Sequence, residues 1–444
     1  MLHLRTFRDR SDLALVLGTL VFLAALALLL GNIVAGQDIE GARGVVLTVV
    51  IILASLIVFH MITRDEADGQ FLFRLLMTSL VLKLGAVAFR LWLIFDQYGG
   101  SADAVGYHNW GARMAAAVLA GGLGEELSGS QGTQMVRVLT AIFYYVTGPT
   151  LLGSFVMWAW LGLLGMLFFY RAFVTAVPNG NRRLFAYLIF LYPSMILWTS
   201  SLGKDALVSF GLGMLTYGAA RLLRKIDVKG IALAGFGMLA VIAIRPHIAA
   251  IAGVAIAVGA LMRPVRAGML TPVLKAGGIL IFGALAALVV TTSASYINLE
   301  DLSAEGVTGF IEERQEATAR GGAMIERGGV PTNPLTFLDG VVTVLFRPYV
   351  WEAHNMVARI AAVEGLLLMI LLVARRKSIM AAWRATPRDT FLVMTMAYAL
   401  MFAFFFSAIS NFGIIARQRH QLLPFLFVWL AFLPAIRAPR PEDS

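Results

Sequence analysis

The stretch Gly44–Ile62, GVVLTVVIILASLIVFHMI, contains no Asp, Glu, Lys or Arg in 19 residues. A helix needs about 20 consecutive, mainly apolar residues to cross the hydrocarbon core of a bilayer. This stretch therefore predicts a membrane-spanning helix, and the same criterion can be applied outward along the chain in both directions.

Apolar runs of comparable length recur through the whole sequence, and they predict about twelve membrane-spanning helices. Leu13–Gly31 carries no charge and is not followed by a small-residue cleavage site, so we interpret it as a retained helix rather than a signal peptide. The predicted spans are Leu13–Gly31, Gly44–Ile62, Leu75–Phe95, Thr150–Val174, Leu184–Ser200, Asp205–Leu222, Gly230–Ile244, Ile248–Met262, Ala276–Ala294, Ala358–Ala374, Phe391–Ser407 and Gln421–Ile436.

The composition agrees with an all-α, polytopic membrane protein. Of the 444 residues, 59% are hydrophobic and 14% are charged, and the mean hydropathy is +0.80. Soluble domains average about 45–50% apolar and about 25% charged residues. A soluble enzyme, a disordered chain, collagen and a coiled coil are therefore excluded. The absence of cysteine excludes disulfides and thiolate metal sites.

The basic residues are sorted between the two sides of the predicted membrane. With the N-terminus in the cytoplasm, the cytoplasmic segments carry twice as many Lys and Arg residues as the outer segments. The positive-inside rule then predicts that both termini are cytoplasmic. The net charge of +10 therefore indicates topology and predicts no nucleic-acid partner.

Two predicted outer loops, 97–149 and 296–355, are too long to be simple turns. In the first loop, Tyr107–Leu119 and Met135–Val146 have helical periodicity and are predicted to lie on the membrane surface. The second loop contains the apolar run Leu335–Phe346, which is too short to span and is interpreted as interfacial or re-entrant.

The second loop also contains a charged helical stretch, Glu305–Arg320, and a Gly/Pro-rich segment after it. With these loops, the sequence divides into an N-terminal part with two spans, a transmembrane core with the first outer loop, and a C-terminal set of spans with the second. The predicted boundaries are 1–74, 75–265 and 266–444.

Asp103 follows the third predicted span on the outer face, with Tyr107 and His108 close behind it. Residues four apart share one side of a helix, so Asp103 and Tyr107 are expected on the same side. A carboxylate at the water–lipid boundary can be partly desolvated, which raises its pKa toward that of a useful general base. The alternative is that Asp103 only caps the surface helix.

Lys204 lies in the outer hairpin between the fifth and sixth predicted spans. The free N–H groups of the next helix and the lysine charge can together hold an anion such as a phosphate. The alternative is that Ser201 or Asp205 caps that helix and that Lys204 extends to the membrane surface.

Arg245 and His247 form the outer turn between the seventh and eighth predicted spans. An arginine presents a planar fork that matches phosphate oxygens. The alternative is that Arg245 bonds the last carbonyls of the helix that it ends.

A polar, aromatic segment, 346–355, precedes the tenth predicted span and contains Arg347 and His354. Its Trp and Tyr residues are expected membrane anchors, but its density of polar groups is not expected of an anchor. Glu364 lies within the following span, where ionisable residues are costly and are functional candidates. The alternative for Glu364 is a structural pair with Arg359 or Lys83.

Arg417, Arg419 and His420 cluster on the outer face, against the positive-inside trend. Together with Lys204 and Arg245, they predict a site on one face for an anionic, lipid-embedded substrate. The predicted phosphate-binding residues are Lys204, Arg245, His247, Arg347, His354, Arg417, Arg419 and His420.

Over about residues 75–265, the sequence resembles the GT-C superfamily of bacterial membrane glycosyltransferases that use polyprenyl-phosphate sugars. The resemblance rests on three features: the outer-loop acid Asp103, the run Arg137–Pro149 entering a long apolar span, and Tyr192-Pro193-Ser194 followed by Lys204-Asp205-Ala206-Leu207. The ending Arg417-Gln418-Arg419 with Pro424 also resembles that of outer-face polysaccharide polymerases.

The GT-C resemblance implies an enzyme of the bacterial inner membrane that transfers a sugar from a polyprenyl-phosphate donor with inversion. Asp103 would act as the general base on an acceptor hydroxyl, with Tyr107 and His108 beside it, while Lys204 and Arg245 hold the phosphate. The acceptor, a glycan, lipid or protein, is not specified. No cofactor is assigned, and a divalent metal is allowed without assigned ligands.

Two alternatives stay open. An outer-face polysaccharide polymerase or ligase would use the arginine-rich site and need no carboxylate base. A transporter or flippase for a lipid-linked anionic substrate would show internal repeats and broken helices at the bilayer midplane.

Overall fold

The computed structural model of the chain describes residues 36, 38–66, 68–122, 130–262, 333–407, 409 and 411–433. Within these ranges the chain is helical throughout, with sixteen α-helices and no β-strand. The predicted all-α class is confirmed.

Ten of these helices lie before residue 262. Helix α2 continues into a π-helical turn at Leu93–Gln97. The helices are α1 (Ile39–Thr63), α2 (Gly69–Trp92), α3 (Asp103–Leu119), α4 (Gln131–Thr147), α5 (Leu151–Ala176), α6 (Arg182–Leu191), α7 (Pro193–Leu197), α8 (Lys204–Arg224), α9 (Val228–Ile244) and α10 (Pro246–Leu261).

The C-terminal half contains six more described helices, with 3₁₀ turns at Val350–Glu352, Thr386–Arg388 and Arg419–Gln421. The helices are α11 (Pro334–Phe346), α12 (Met356–Ala374), α13 (Arg376–Ala385), α14 (Thr390–Ser407), α15 (Phe412–Gln418) and α16 (Leu423–Ala431).

Six of the described helices are long and apolar enough to cross a membrane: α1, α2 with its π-helical turn, α5, α8, α12 and α14. Three shorter apolar helices, α9, α10 and α11, accompany them. Large apolar side chains on α1, α9 and α12 are exposed, as expected for helices whose solvent is lipid; they include Val50, Ile57, Phe236, Leu239, Val363 and Ile370. The chain is thus a membrane-embedded helical protein.

The predicted spans Leu13–Gly31 and Ala276–Ala294 lie outside the described residues, as does the predicted helical stretch Glu305–Arg320. The predicted first outer loop contains helices α3 and α4, so the helical periodicity read there corresponds to real helices. Their position on a membrane surface stays a prediction, and so does the division of the sequence at 74 and 265.

The predicted span Leu184–Ser200 is not one helix. Tyr192 has extended backbone angles and Pro193 begins α7, so the helix is interrupted between α6 and α7. Proline has no N–H to continue the ladder, and the residue before it disfavours the helical conformation. Arg245 and Pro246 separate α9 from α10 in the same way.

By internal contacts the chain divides into two units, which we describe separately. The first comprises Met1–Ser128, Val136–Trp160 and Ser200–Gly203, and the second comprises Gly129–Met135, Leu161–Thr199 and Lys204–Ser444.

In the first unit, α1 is fixed by polar contacts to the segment around the start of α5. The carboxylate of Glu40 accepts a hydrogen bond from the Leu151 N–H at 2.8 Å, and the indole of Trp160 donates to Ser55 Oγ at 3.0 Å. Because lipid offers no competing hydrogen bonds, such contacts can specify how apolar helices pack.

In the second unit, α8 and α9 form a hairpin whose backbones approach closely at glycines. A Cβ added to Gly237 would lie 2.4 Å from the backbone nitrogen of Leu215, and one added to Gly218 would lie 2.3 Å from that of Ala234. Small residues at such positions allow the tight van der Waals packing that drives helix association in lipid.

A stack of aromatic rings also lies in the second unit and links α14 to α16. Tyr398 and Phe425 have ring centroids 3.8 Å apart, and Phe402 and Phe406 are 4.1 Å apart along α14. The stack fills the interior of this unit with rigid side chains that lose little rotamer entropy.

We predict that Gly237→Ala destabilises the protein by about 1–3 kcal/mol, because the methyl group forces α8 and α9 apart. Gly235→Ala, two residues away in α9, is the matched control, because a Cβ there meets nothing within 4 Å. Thermal unfolding of the detergent-solubilised protein should show a lower midpoint for the first variant only. Equal midpoints for the two variants would show that the close approach contributes nothing.

Candidate functional site

Asp205 is the centre of the most densely connected polar cluster in the second unit. It lies in the first turn of α8, only 2% exposed. An acid in the first turn is favoured by the positive end of the helix dipole. A buried carboxylate must nevertheless be paired, because an isolated charge in an apolar interior is very costly.

Two arginines from distant parts of the sequence pair with this carboxylate. Arg245, at the break between α9 and α10, donates to Oδ1 at 2.7 Å, and Arg417 of α15 donates through Nε to Oδ2 at 2.5 Å. Since two guanidinium groups share one carboxylate, the trio of Asp205, Arg245 and Arg417 carries a net positive charge.

The side chain of Gln418 extends this cluster. Its Oε1 accepts from the Arg245 guanidinium and from Gln421 Nε2. Gln418 and Asp205 therefore bind the two terminal nitrogens of Arg245, and the guanidinium fork is held in one orientation.

His420 completes the cluster with a defined tautomer. Its Nδ1 lies 2.6 Å from the carbonyl oxygen of Arg417, which can only accept, so Nδ1 carries the proton. Its Nε2 is buried and has no hydrogen-bond partner among the described residues. Burial lowers the pKa of His420 to about 4, and the Asp205 carboxylate opposes that shift. The imidazole is therefore neutral at pH 7 and presents a basic lone pair inside the protein.

Arg419 is fully buried and bonds the end of α11. Its Nε donates to the carbonyl of Val344 at 2.9 Å, and its NH2 group donates to the carbonyl of Arg347. Its third nitrogen, NH1, is buried without a partner in the part of the chain that the structure describes. Arg419 thus satisfies two of the carbonyls that a helix C-terminus leaves free.

Arg347 itself is neutralised by a neighbouring acid. Its guanidinium forms a two-pronged pair with Glu352, with Nε lying 3.0 and 3.1 Å from the carboxylate oxygens, and it lies over the ring of Phe412 at 4.7 Å. The backbone carbonyl of Arg347 therefore bonds Arg419, while the guanidinium charge of Arg347 is compensated by Glu352.

Glu364 is buried in α12 and binds the break between α6 and α7. Its carboxylate accepts from the Ser194 N–H at 3.0 Å and from the Ser194 hydroxyl at 2.5 Å. Tyr192 donates its hydroxyl to the backbone carbonyl of Glu364 at 3.0 Å. The pairing with Arg359 or Lys83 that the sequence suggested is thus replaced by bonds to Ser194.

In the first unit, Asp103 is the first residue of α3 and is exposed, whereas Tyr107 is buried. The N-cap position belongs to Ala102, so the capping role considered for Asp103 is wrong. A Cβ added at Gly203 would lie 4.0 Å from the Tyr107 ring, which places that ring near the residue that precedes α8.

His108 belongs to a chain of polar groups in the first unit. Its Nδ1 lies 2.8 Å from the Tyr144 hydroxyl, and its Nε2 lies 3.5 Å from the Glu40 carboxylate. The Tyr144 hydroxyl also lies 3.1 Å from the Thr150 carbonyl. Burial lowers the pKa of His108, and the charge of Glu40 raises it in opposition. The imidazole is thus oriented from both of its nitrogens.

The remaining predicted residues have the following contacts and exposure. Lys204 starts α8 and bonds Ser130 Oγ at 3.3 Å, His247 packs against the ring of Phe406, and His354 is exposed. The structure thus brings Arg245 and Arg417 together at Asp205, and Arg347 and Arg419 together at the end of α11. The phosphate-binding role of all these residues stays a prediction.

The residues of these clusters that were not predicted as site residues include Asp205, Gln418, Glu40 and Tyr144. Asp205 did carry a usable signal, since it is an acid at the start of an apolar run and next to Lys204. Glu40 and Tyr144 carried none, because only the packing of α1 and α4 places them beside His108.

Among the described residues, no group of three or more His, Asp or Glu side chains is arranged to hold a metal ion. The chain matches no protein-family model, no curated protein and no solved structure. The clusters at Asp205 and His108 therefore carry the functional argument by themselves.

We predict that Asp205→Asn destabilises the protein by about 3–5 kcal/mol, because breaking a buried ion pair leaves uncompensated charge. Asp227→Asn is the control: Asp227 pairs with Arg221 at a partly exposed site and caps α9, and Asn caps equally well. Thermal unfolding in detergent should show a large loss for the first variant and a small one for the second. Unchanged stability of Asp205→Asn would refute the structural role of the pair.

We also predict that neutral His420 makes stability depend on pH. Its folded pKa of about 4 lies below the ordinary value of 6.5, so the unfolded chain binds more protons between these values. The free energy of unfolding is therefore highest above pH 6.5. It decreases as the pH falls toward 4, by about 2 kcal/mol at pH 5. Thermal unfolding from pH 8 to pH 5 should show this extra loss for the parent protein relative to His420→Asn. Parallel pH profiles would contradict the prediction.

Proposed function

We propose that this protein is a membrane glycosyltransferase that moves a sugar from a polyprenyl-phosphate donor to an acceptor hydroxyl on the outer face of the membrane. The observation that carries this proposal is the convergence of Arg245 and Arg417, far apart in sequence, on the buried Asp205. A cationic cluster inside a membrane-embedded protein is suited to an anion that is itself held in the membrane.

The donor phosphate would bind at the two guanidinium groups. Asp205 holds the two guanidinium groups at one place, so an incoming phosphate would meet both of them together. Arg245 is additionally oriented by Gln418. Guanidinium forks match phosphate oxygens with two parallel hydrogen bonds, which gives orientation as well as affinity.

In this proposal Asp103 acts as the general base on the acceptor hydroxyl, with Tyr107 and His108 beside it in α3. The exposure of Asp103 leaves it accessible to an acceptor arriving from water. His108, held by Glu40 and Tyr144, would supply a fixed polar group on the same helix. The GT-C resemblance of this segment supports Asp103 as the general base. The same resemblance implies an enzyme of the bacterial inner membrane.

The topology that suits this activity has twelve membrane crossings, one of them formed by the interrupted pair α6 and α7, and both termini in the cytoplasm. The loops 97–149 and 296–355 and the turn at Arg245 then share the outer face. This arrangement is supported by the excess of Lys and Arg on the opposite side.

A second candidate, an outer-face polysaccharide polymerase or ligase, is favoured by one observation about the C-terminal cluster. His420 is neutral, is held by its Nδ1–H, and has a buried, unpartnered Nε2 beside the arginines. Its lowered pKa makes this imidazole a weak base in the free protein, and a bound anionic donor would raise that pKa, so that it could accept a proton without any carboxylate, as this reaction would require. In that case His420, and not Asp103, is the base.

Donor binding and transfer are tested separately. We expect Arg245→Ala to weaken binding of undecaprenyl phosphate about ten- to a hundredfold, the effect of losing a charged hydrogen bond. Lys229→Ala, a change of an exposed lysine at the start of α9, is the control and should bind normally. Binding can be measured by native mass spectrometry of the purified protein. Equal binding by the two variants would overturn the phosphate assignment.

The identity of the base decides between the two candidates. Asp103→Asn should lower sugar transfer about 10²–10⁴-fold if Asp103 is the general base, with donor binding unchanged. Loss of transfer in His420→Asn with normal transfer in Asp103→Asn would instead support the polymerase or ligase. Normal transfer in both variants would refute both assignments of the base.

A further inference from the structure

Helix α13 (Arg376–Ala385) and the turn that follows it, Thr386–Arg388, connect two membrane helices by a short path. α12 ends at Ala374 and α14 begins at Thr390, and both are long and apolar enough to span. Because α13 is connected at each end to a spanning helix through only a few residues, it must lie at the membrane surface.

This segment has three distinct faces. Ser378, Ala382 and Thr386 recur every four residues and are all buried, so they form the face that packs on the protein. Met380 and Trp383 are 51% and 61% exposed and lie three residues apart, so they form an exposed apolar stripe with Pro387.

The third face is cationic. Lys377, Arg384 and Arg388 are all exposed, and their spacings of seven and four residues place them along one side of the helix. The whole segment 375–388 contains five basic residues and no Asp or Glu.

The segment is attached to the rest of the second unit by its buried face, by Arg375 and by one edge of the largely exposed Trp383. Arg375 donates through Nε to the carbonyl of Leu430 at 2.9 Å, and the rings of Trp383 and Trp429 have centroids 6.4 Å apart. The exposed apolar and cationic faces are therefore held in a fixed orientation.

We propose that these two faces bind anionic phospholipids of the bilayer surface, with Met380 and Trp383 inserted at the acyl boundary. Lys377, Arg384 and Arg388 contact the lipid phosphates. A helix with a cationic face beside an apolar face lies in the interface and is drawn to anionic headgroups. Charge complementarity selects this partner, since no acidic side chain of the segment compensates its cations. The proposal does not depend on the proposed enzymatic function.

The test uses the full-length protein, which has no cysteine, with one cysteine introduced by Met380→Cys and labelled with an environment-sensitive dye. The protein is reconstituted in phosphatidylcholine bilayers with increasing proportions of phosphatidylglycerol. We expect a blue shift of the dye emission as phosphatidylglycerol is added, and its reversal at high salt.

The charge requirement is tested in the same labelled protein by Lys377→Gln with Arg384→Gln. Each basic residue near an anionic surface strengthens binding roughly fivefold, so losing two should weaken it roughly 25-fold. The matched control is Lys225→Gln with Lys229→Gln, which removes two exposed lysines around the α8–α9 turn. Thermal unfolding of each variant establishes that it is folded.

The proposal predicts a shift in the parent and the control that is lost in the Lys377/Arg384 variant. Three outcomes would overturn it: no response to phosphatidylglycerol, an equal response in all variants, or emission already blue-shifted in phosphatidylcholine alone. A shift produced by soluble polyglutamate but not by phosphatidylglycerol would also overturn it, and would identify an acidic protein surface as the partner.

Discussion

The carboxylate of Asp205 is charged and almost inaccessible to water. The packing of the second unit must therefore bring cationic side chains to it. Removing such a charge from water costs several kcal/mol, so a buried ion must have well-placed partners. Arg245 and Arg417 provide them from the α9–α10 break and from α15. The pairing therefore ties the start of α8 to two other parts of the chain. It also determines where the consecutive residues Gln418, Arg419 and His420 lie.

Several of the polar clusters described above lie at breaks or ends of helices. Within lipid every backbone N–H and C=O must be satisfied internally, and a helix end leaves carbonyls free. Arginines repeatedly meet this requirement: Arg419 bonds carbonyls at the end of α11, and Arg375 bonds the Leu430 carbonyl near the end of α16. Cations accumulate at such ends for a structural reason, and the Asp205 cluster differs in joining two arginines through one buried carboxylate.

Much of the architecture follows from the sequence because hydropathy and helix formation are local properties. The apolar runs predicted helices at α1, α2, α5, α8, α12 and α14, and the observed helices coincide with them. Periodicity also placed helices near α3 and α4. Run length did not predict the break at Tyr192, although Pro193 marks it, because an apolar run of sufficient length is interpreted as one helix. Nor did it assign the partner of Glu364, because Ser194 lies far from it in sequence.

The sequence by itself determined that this is a helical membrane protein, and it singled out Arg245, Arg417, Arg419 and His420 as candidate site residues. Composition, run length and charge bias require no knowledge of packing. Only the tertiary structure decided that Arg245 and Arg417 share Asp205, that His420 is a neutral imidazole with Nδ1 protonated, and that Glu40 and Tyr144 orient His108. Proximity and burial determine which groups a charged side chain pairs with. Both arise from how distant helices pack, and no local sequence pattern encodes them.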